Sequence, residues 1–413
     1  MTGPKVLLPV MLVIAALVGA GCGGSDNGGG GGGSSKAEIK IGASLPLTGD
    51  FSEPGKAAQQ GYQVWQAIVN QKGGLIDGRK VKMVIKDDAS NQNTIVSDYN
   101  ALISKDKVNL LLGTFSSLLN LPASAVAERN RMLYVEPAGG SPEMFSRGFK
   151  YLFFAQQATA DHQGDVFADY VKSLPANERP KTAAYPTLDD PFAQPTSEGI
   201  EKILKAAGIK TVYRKTYTID QKNFDSIANA VKGSGADLVV HGATFEDGVG
   251  LVRALLKIGY HPKMLYQTTA PSLGDQYAKA IGAGNTEGVF YAVSHSAKAK
   301  TPGNEEFVAK YKQMFGGAEV PEDAADAYAA AQVLQAAVKA VGSIDDQAKL
   351  ADWLHQNKVD TILGPLSWDD AGRPQGKFLV GQWQNGAPEI VLPDAAATVN
   401  APEPQWKAGG SGT

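Results

Sequence analysis

The chain has 413 residues and a formal net charge of −3, which leaves no electrostatic case for binding nucleic acid or an anionic membrane surface. Its hydrophobic content of 43% is ordinary for a globular protein with a real core. A single cysteine excludes an internal disulfide framework, so stability must come from burial.

Met1 to Lys5 carries one basic side chain, Val6 to Val18 is an apolar run broken only by Pro9, and Gly19-Ala20-Gly21 precedes Cys22. A short charged start, an apolar stretch of about 7–15 residues and small residues at the cleavage site make a secretory signal. The run is shorter than the ~20 residues a membrane-spanning helix needs. A cysteine directly behind the small residues resembles a bacterial lipobox, with cleavage before Cys22 and lipid on its sulfur. Gly19 departs from the usual Leu, Val or Ile three places before the cysteine, and plain secretion is the alternative. The Gly/Ser tract from Gly23 to Ser35 reads as a flexible leash. We expect a signal over 1–21 and a lipidated, linker-bearing segment over 22–36.

Beyond the tract the chain is long enough for two or three domains of ~100–200 residues. Lys36 to Leu45 alternates like a strand and Gly55 to Asn70 has helical spacing. Strands over 80–86, 108–112 and 132–135 then alternate with helices over 94–104 and 117–129. The pattern restarts at Tyr151. Helices over 159–174, 196–207, 224–232 and 248–258 alternate with strands over 181–185, 211–217, 238–240 and 264–266. Such alternation predicts parallel sheets covered on both faces. Helices over 305–314, 324–341 and 347–355 precede a strand-rich end over 366–391. The extra helices suggest that the chain returns to complete the first unit. The fold class expected is α/β, with two doubly wound parallel-sheet lobes.

No G-x-S-x-G, H-E-x-x-H or G-x-x-x-x-G-K-[ST] pattern occurs. His162, His241, His261, His295 and His355 are dispersed without ligand spacing, so neither a metal nor another cofactor is expected. The doublets Asp87-Asp88, Asp189-Asp190 and Asp369-Asp370 sit where Asp closes turns and caps helices. Gly113 to Ser117 follows an apolar strand and opens a helix, where backbone N–H groups and hydroxyls can hold a carboxylate. A serine there is also an ordinary N-cap. Ala138-Gly139-Gly140-Ser141 follows the next strand, and ligands of open α/β sheets sit at the carboxyl ends of strands.

The order Ile41-Gly42-Ala43-Ser44-Leu45-Pro46-Leu47-Thr48-Gly49, Asn70-Gln71-Lys72-Gly73-Gly74, Asp87-Asp88-Ala89, Pro122-Ala123-Ser124, Glu136-Pro137-Ala138, Asp161-His162-Gln163-Gly164 and Leu363-Gly364-Pro365-Leu366-Ser367-Trp368-Asp369 resembles the leucine/isoleucine/valine-binding family of periplasmic binding proteins. These are the solute receptors of ABC importers. The resemblance implies a type I fold with lobes over 37–157 plus 292–365 and 158–291 plus 366–400, a three-segment hinge, and a tail over 401–413. It places Ser117 on the serine that bonds a ligand carboxylate, Ala138 on a main-chain contact and Phe192 on an aromatic that covers the ligand. Relatives carry Thr at Gly140, a Glu pairing with the ammonium near Thr268-Thr269, and Tyr at Pro54 and Thr244. The ammonium set is thus largely missing. Glu246 and Asp247 are the nearest substitutes in sequence, Asp247 also suiting a helix cap. Gln156 and Gln157 fall at the first crossover, where they add amide bonds or line a solvated hinge.

The ligand-binding set expected is Ser116, Ser117, Ala138, Gly139, Gly140, Gln157, Phe192, Thr244 and Thr269. The function expected is an extracytoplasmic, lipid-anchored and monomeric ABC-importer receptor that is not an enzyme. Its partners are a small-molecule ligand, the permease and, through the lipid anchor, the membrane. The ligand expected has a carboxylate or amide end and an apolar body. A branched-chain or related amino acid comes first and a ligand without the α-ammonium second. A sensory ectodomain on the same fold and a surface enzyme are the alternatives, and nothing after Trp406 reads as a membrane span or a kinase-like extension.

Overall fold

The computed structural model describes residues 37–399 and 401–409, so the leader, Cys22 and the Gly/Ser tract lie outside the described residues. The first sheet grows from β1 (Ile39–Leu45), α1 (Ser52–Gln71), β2 (Val81–Asp87), α2 (Gln92–Ser104), β3 (Leu110–Leu112), α3 (Ser117–Arg129), β4 (Tyr134–Glu136) and β5 (Leu152–Phe154). Its order is β2-β1-β3-β4-β5, parallel throughout. Successive side chains of a strand point to opposite faces. Ile39, Ile41, Ala43 and Leu45 therefore enter the core beneath α1, while Gly42 leaves room for Val108 and Leu102 on the other face. Helix α2 starts two residues before the predicted Thr94, because the Asn91 side chain accepts from the Asn93 and Thr94 amides.

The second sheet follows through α4 (Ala160–Gln163), α5 (Asp165–Ser173), β6 (Thr182–Leu188), α6 (Ala193–Ala206), β7 (Lys210–Tyr217), α7 (Asp225–Ser234), β8 (Leu238–His241), α8 (Phe245–Lys257), β9 (Met264–Gln267), α9 (Asp275–Ile281) and β10 (Phe290–Val293). The single helix predicted over 159–174 is two. A Cβ on Gly164 would stand 2.2 Å from Ile200, so the break is where α6 comes closest. Helix α6 starts at Ala193 and not at Thr196, because Asp190 accepts from the Phe192 and Ala193 amides. Pro195 then sits in the first turn, where no amide is needed.

The chain continues through α10 (Asn304–Met314), α11 (Glu322–Val341), α12 (Gln347–Gln356), the hairpin β11 (Val359–Thr361) and β12 (Gly364–Leu366), then β13 (Leu379–Gln384) and β14 (Ala387–Leu392). The second sheet has the order β14-β13-β10-β9-β8-β6-β7. Strands β7-β6-β8-β9-β10 repeat the winding of the first sheet, with β1 and β6 in the same place. The sheet is not purely parallel: β13 runs antiparallel to β10, and β14 to β13. The β13–β14 turn is Asn385-Gly386, both at positive φ (53° and 73°), the two-residue turn that matches strand twist. The expected lobe boundary at 292 falls inside β10, whose residues through Val293 all pair within the second sheet.

Helix α11 packs along α1 with the first sheet's core. A Cβ on Gly61 would lie 2.0 Å from the Ala324 carbonyl oxygen, so only glycine lets the two backbones meet. Buried Trp65 donates from Nε1 to Gln335 at 2.9 Å farther along the same contact. This close packing fixes the first turn of α11 beside the carboxyl ends of the first sheet's strands. Among the described residues, no helix is long and apolar enough to cross a membrane.

The two sheets are joined three times, over 155–159, 294–303 and 367–378. Gln157 Nε2 donates to the Ser294 carbonyl at 2.8 Å and the Leu363 carbonyl at 3.4 Å, tying the first crossover to the second and to the β11–β12 hairpin.

Candidate ligand-binding site

A cavity of about 50 Å³ lies where strand ends of both sheets meet. One wall is the turn from β3 into α3, with Phe115, Ser116 and Ser117, beside Ala138 and Gly139 after β4. Phe115 and Ala138 form a parallel bridge, so the two loops continue their strands side by side. The opposite wall comes from the second sheet, with Phe192 at the head of α6 and Thr268, Thr269 and Ser272 after β9. Gln163 from α4 and Phe154, Gln156 and Phe378 near the crossovers close it, and α11 adds Glu322, Asp323 and Asp326.

Ser116 precedes α3 as its N-cap residue yet makes no capping bond. Its Oγ is buried without a partner among the described residues. The ordinary explanation of a serine at this place, a side-chain cap, therefore does not hold here. Ser117 Oγ accepts from the Ser141 amide at 3.0 Å, which leaves its proton to donate. Together with the first amides of α3, these hydroxyls form a donor set suited to a carboxylate.

The α11 wall has the opposite character. Asp326 accepts from Ser294 Oγ at 2.5 Å and from Gln156 Nε2 at 2.6 Å. Half-buried Glu322 accepts from the Ser294 amide. Asp323 is 6% exposed, and its Oδ2 has no partner among the described residues. Burial pushes the Asp323 and Asp326 carboxyls well above the ordinary carboxylate range and raises Glu322 as well.

Of the expected residues, Ser116, Ser117, Ala138, Gly139, Phe192 and Thr269 come together in this cavity. Gly140 does not line it. It lies behind, where a Cβ would stand 2.8 Å from Phe154 and 3.0 Å from the Ala160 amide. Gln157 is spent on the crossovers, whereas its neighbour Gln156 reaches the cavity. Thr244 opens onto a separate groove with Asp50, Lys222 and Arg253.

The acids expected to replace the ammonium partner are also elsewhere. Glu246 is exposed. Asp247 accepts from the Thr244 amide and hydroxyl and from Tyr217 Oη, which is cap and core work. The α11 carboxylates were not foreseen. Glu322-Asp323 and Asp326 read as ordinary acids at a helix N-terminus, and only the packing of α11 on α1 brings them to the ends of β3 and β4, far earlier in the chain.

The three aspartate doublets close turns and head helices. Asp87 accepts from the Leu47, Thr48 and Ala89 amides, Asp190 from the head of α6, and Asp369 from Ala371 and Arg373. No group of three or more metal-ligating side chains occurs among the described residues. The nearest thing to a catalytic set is Tyr217, His241 and Asp247 (Tyr217 Oη to His241 Nε2, 2.7 Å). It is buried in the second lobe, and burial holds His241 down at about 3, hence neutral.

The chain matches the periplasmic binding protein family over residues 38–388. It is 27% identical over 354 residues to a Leu/Ile/Val-binding protein homolog of Brucella melitensis, covering 85% of this chain and 92% of the relative. Two solved structures share its fold. The branched-chain amino acid transporter substrate-binding protein of Streptococcus pneumoniae, in complex with isoleucine, aligns with TM-score 0.74 at 20% identity, over 86% of this chain and 100% of that one. An ABC-transporter solute-binding protein of R. palustris, in complex with benzoate, aligns with TM-score 0.76 at 20% identity, over 90% and 99%. With two doubly wound lobes and a family match over most of its length, the chain belongs to the periplasmic binding proteins.

Proposed function

We propose that this protein is the extracytoplasmic solute receptor of an ABC importer and captures an amino acid or related small carboxylate between its lobes. The observation that carries this reading is the shared cavity, with the unpartnered Ser116 hydroxyl and the α3 amides on one side and Phe192 on the other. Phe115, Phe154, Phe192 and Phe378 suit an apolar or aromatic body. The ligands named for the relatives, Leu/Ile/Val, isoleucine and benzoate, all combine a carboxylate with such a body.

A cavity of about 50 Å³ is smaller than the roughly 150 Å³ that takes a benzene ring. Entry of any such solute therefore requires the lobes to part. The three crossovers, one of them carrying Gln157 and another Ser294, are the hinge of this reading, and hinge closure is the motion general to this class. In this reading the protein works as a monomer, turns nothing over, and hands its ligand to a permease. It is held to the outer face of the membrane by lipid on Cys22, with the Gly/Ser tract as leash.

A thermal-shift screen over amino acids, amides and small carboxylates tests the reading. A ligand at 100 times its Kd adds ~2.7 kcal/mol to stability. Stoichiometric binding without turnover, and loss of uptake on deletion, are the outcomes expected. Turnover of the bound compound, or uptake that survives deletion, contradicts it.

A further inference from the structure

The donor set at α3 accounts for one end of a ligand, and the first turn of α11 supplies something of opposite sign at the other. Glu322, Asp323 and Asp326 all face the cavity, and among the described residues no Lys, Arg or His lines it. Two of these acids are already engaged by Ser294 and Gln156. Asp323 keeps a buried oxygen with no partner.

The bland explanation is that acids favour the positive end of a helix. That interaction contributes about 0.3–1 kcal/mol at exposed ends and ~2 in favourable buried ones. Burying an unpaired carboxylate costs several kcal/mol. The helix end therefore does not account for an orphaned carboxylate oxygen beside two more acids. Protonation, towards which burial pushes these carboxyls, relieves the charge but still leaves that oxygen unpartnered; a cation in the cavity supplies the partner and offsets the repulsion within the cluster. The Ser116 hydroxyl, likewise orphaned in the same cavity, is the counterpart for an anionic group of the same molecule.

We propose that Asp323 is the cation-binding residue of the cleft, so that the ligand carries a protonated amine seated against the first turn of α11. The inference rests on the cleft being the ligand site and goes beyond it by assigning the ligand's charge. It also explains how Thr268 and Thr269 stand where an acid is expected. They line the same cavity as Asp323, so the carboxylate has changed walls and has not been lost.

The experiment titrates matched compounds into wild type, Asp323→Asn, Ser117→Ala and Phe192→Ala. The probes are L-leucine with 4-methylpentanoate and isopentylamine, L-phenylalanine with 3-phenylpropanoate and 2-phenylethylamine, and benzoate with benzylamine. At least one amine-bearing probe is expected to bind wild type roughly 10–100-fold more tightly than its amine-free partner. Asp323→Asn, near-isosteric and checked for folding by its melting temperature, is expected to erase that preference.

The proposal is overturned if an amine-free carboxylate binds as tightly as its amine-bearing partner. It is equally overturned if Asp323→Asn preserves the preference, or if no amine-bearing probe binds. A probe whose affinity ignores both Ser117→Ala and Phe192→Ala binds outside the cavity and overturns the cleft reading itself. One that depends on those residues but ignores Asp323→Asn overturns only the cation assignment.

Discussion

Asn120 Nδ2 donates to the carbonyl oxygen of Ala138 at 3.0 Å. The same amide donates to the Thr114 carbonyl at 2.8 Å and reaches Glu136 Oε2 at 3.1 Å, while its oxygen accepts from Tyr134 Oη at 2.6 Å. One buried side chain thus ties together the loops after β3 and β4, which form one wall of the cavity, without lining it. Asn120→Ala leaves several buried polar groups unpaired at about 1–3 kcal/mol each. We expect a loss of roughly 2–5 kcal/mol in urea unfolding and, where the variant folds, weaker ligand binding. Lost stability with unchanged affinity would show that Asn120 supports the core and does not position the loops.

Lys222 Nζ meets Asp50 at 3.0 Å from the opposite lobe, with both side chains exposed. Such a pair contributes about 0–1 kcal/mol and is screened by salt. Lys222→Ala should speed ligand dissociation by up to about fivefold in low salt, and the difference should vanish in 0.5 M NaCl. Stopped-flow release measures it. An effect that persists in high salt would mean that Lys222 acts otherwise than as an ion-pair latch.

Asp88 is fully buried at the head of α2. Burial, reinforced by the charges of Asp87 and Asp98, raises its carboxyl from 3.8 to about 7. A raised folded pKa adds stability that is present below the ordinary value and lost as pH rises through the folded one. At ~1.4 kcal/mol per pKa unit the loss is a few kcal/mol between pH 4 and 8. Asp88→Asn keeps an acceptor for the Ser90 amide and removes the charge. Its stability relative to wild type should therefore rise with pH across that range. Parallel stability curves for the two proteins would contradict this.

Most of the scaffold is legible along the chain because short β–α alternation leaves few alternatives. The β3–α3 turn is an example, with α3 starting at Ser117 as its residues predict. What was hidden depends on tertiary approach. The break at Gly164 follows from Ile200 packing over it, which no local pattern reports. Strand β10, four residues of a short apolar run, and α9, a seven-residue helix, go unread in the sequence, although the equally short β8 and β9 are read there. The dependence on tertiary approach applies to the site as well. Ser116, Ser117 and Ala138 follow strand ends and could be named in advance, whereas Asp323 belongs to a helix whose position is set by Gly61 and Ala324. Thr244 and Asp247 looked like site residues by sequence proximity, and they proved to satisfy each other.

The lipid anchor proposed on Cys22 has a fractionation test. Cys22→Ser should move the protein from the membrane to the soluble fraction, with no change in its ligand affinity. Membrane association that survives the substitution would exclude lipid on Cys22 as the anchor.

The most direct test of the account is equilibrium titration of a ligand found by the thermal-shift screen against wild type, Ser117→Ala and Phe192→Ala, because these residues face the cavity from different lobes. Ser117→Ala removes a hydrogen bond to a charged group, worth ~1.5–3 kcal/mol, or about 10–150-fold in Kd. Phe192→Ala should weaken binding from the other side by removing apolar contact. One site per chain, with affinity lost in both variants and their melting temperatures near wild type, is the result predicted. A ligand whose Kd is the same for all three proteins would contradict capture between the lobes.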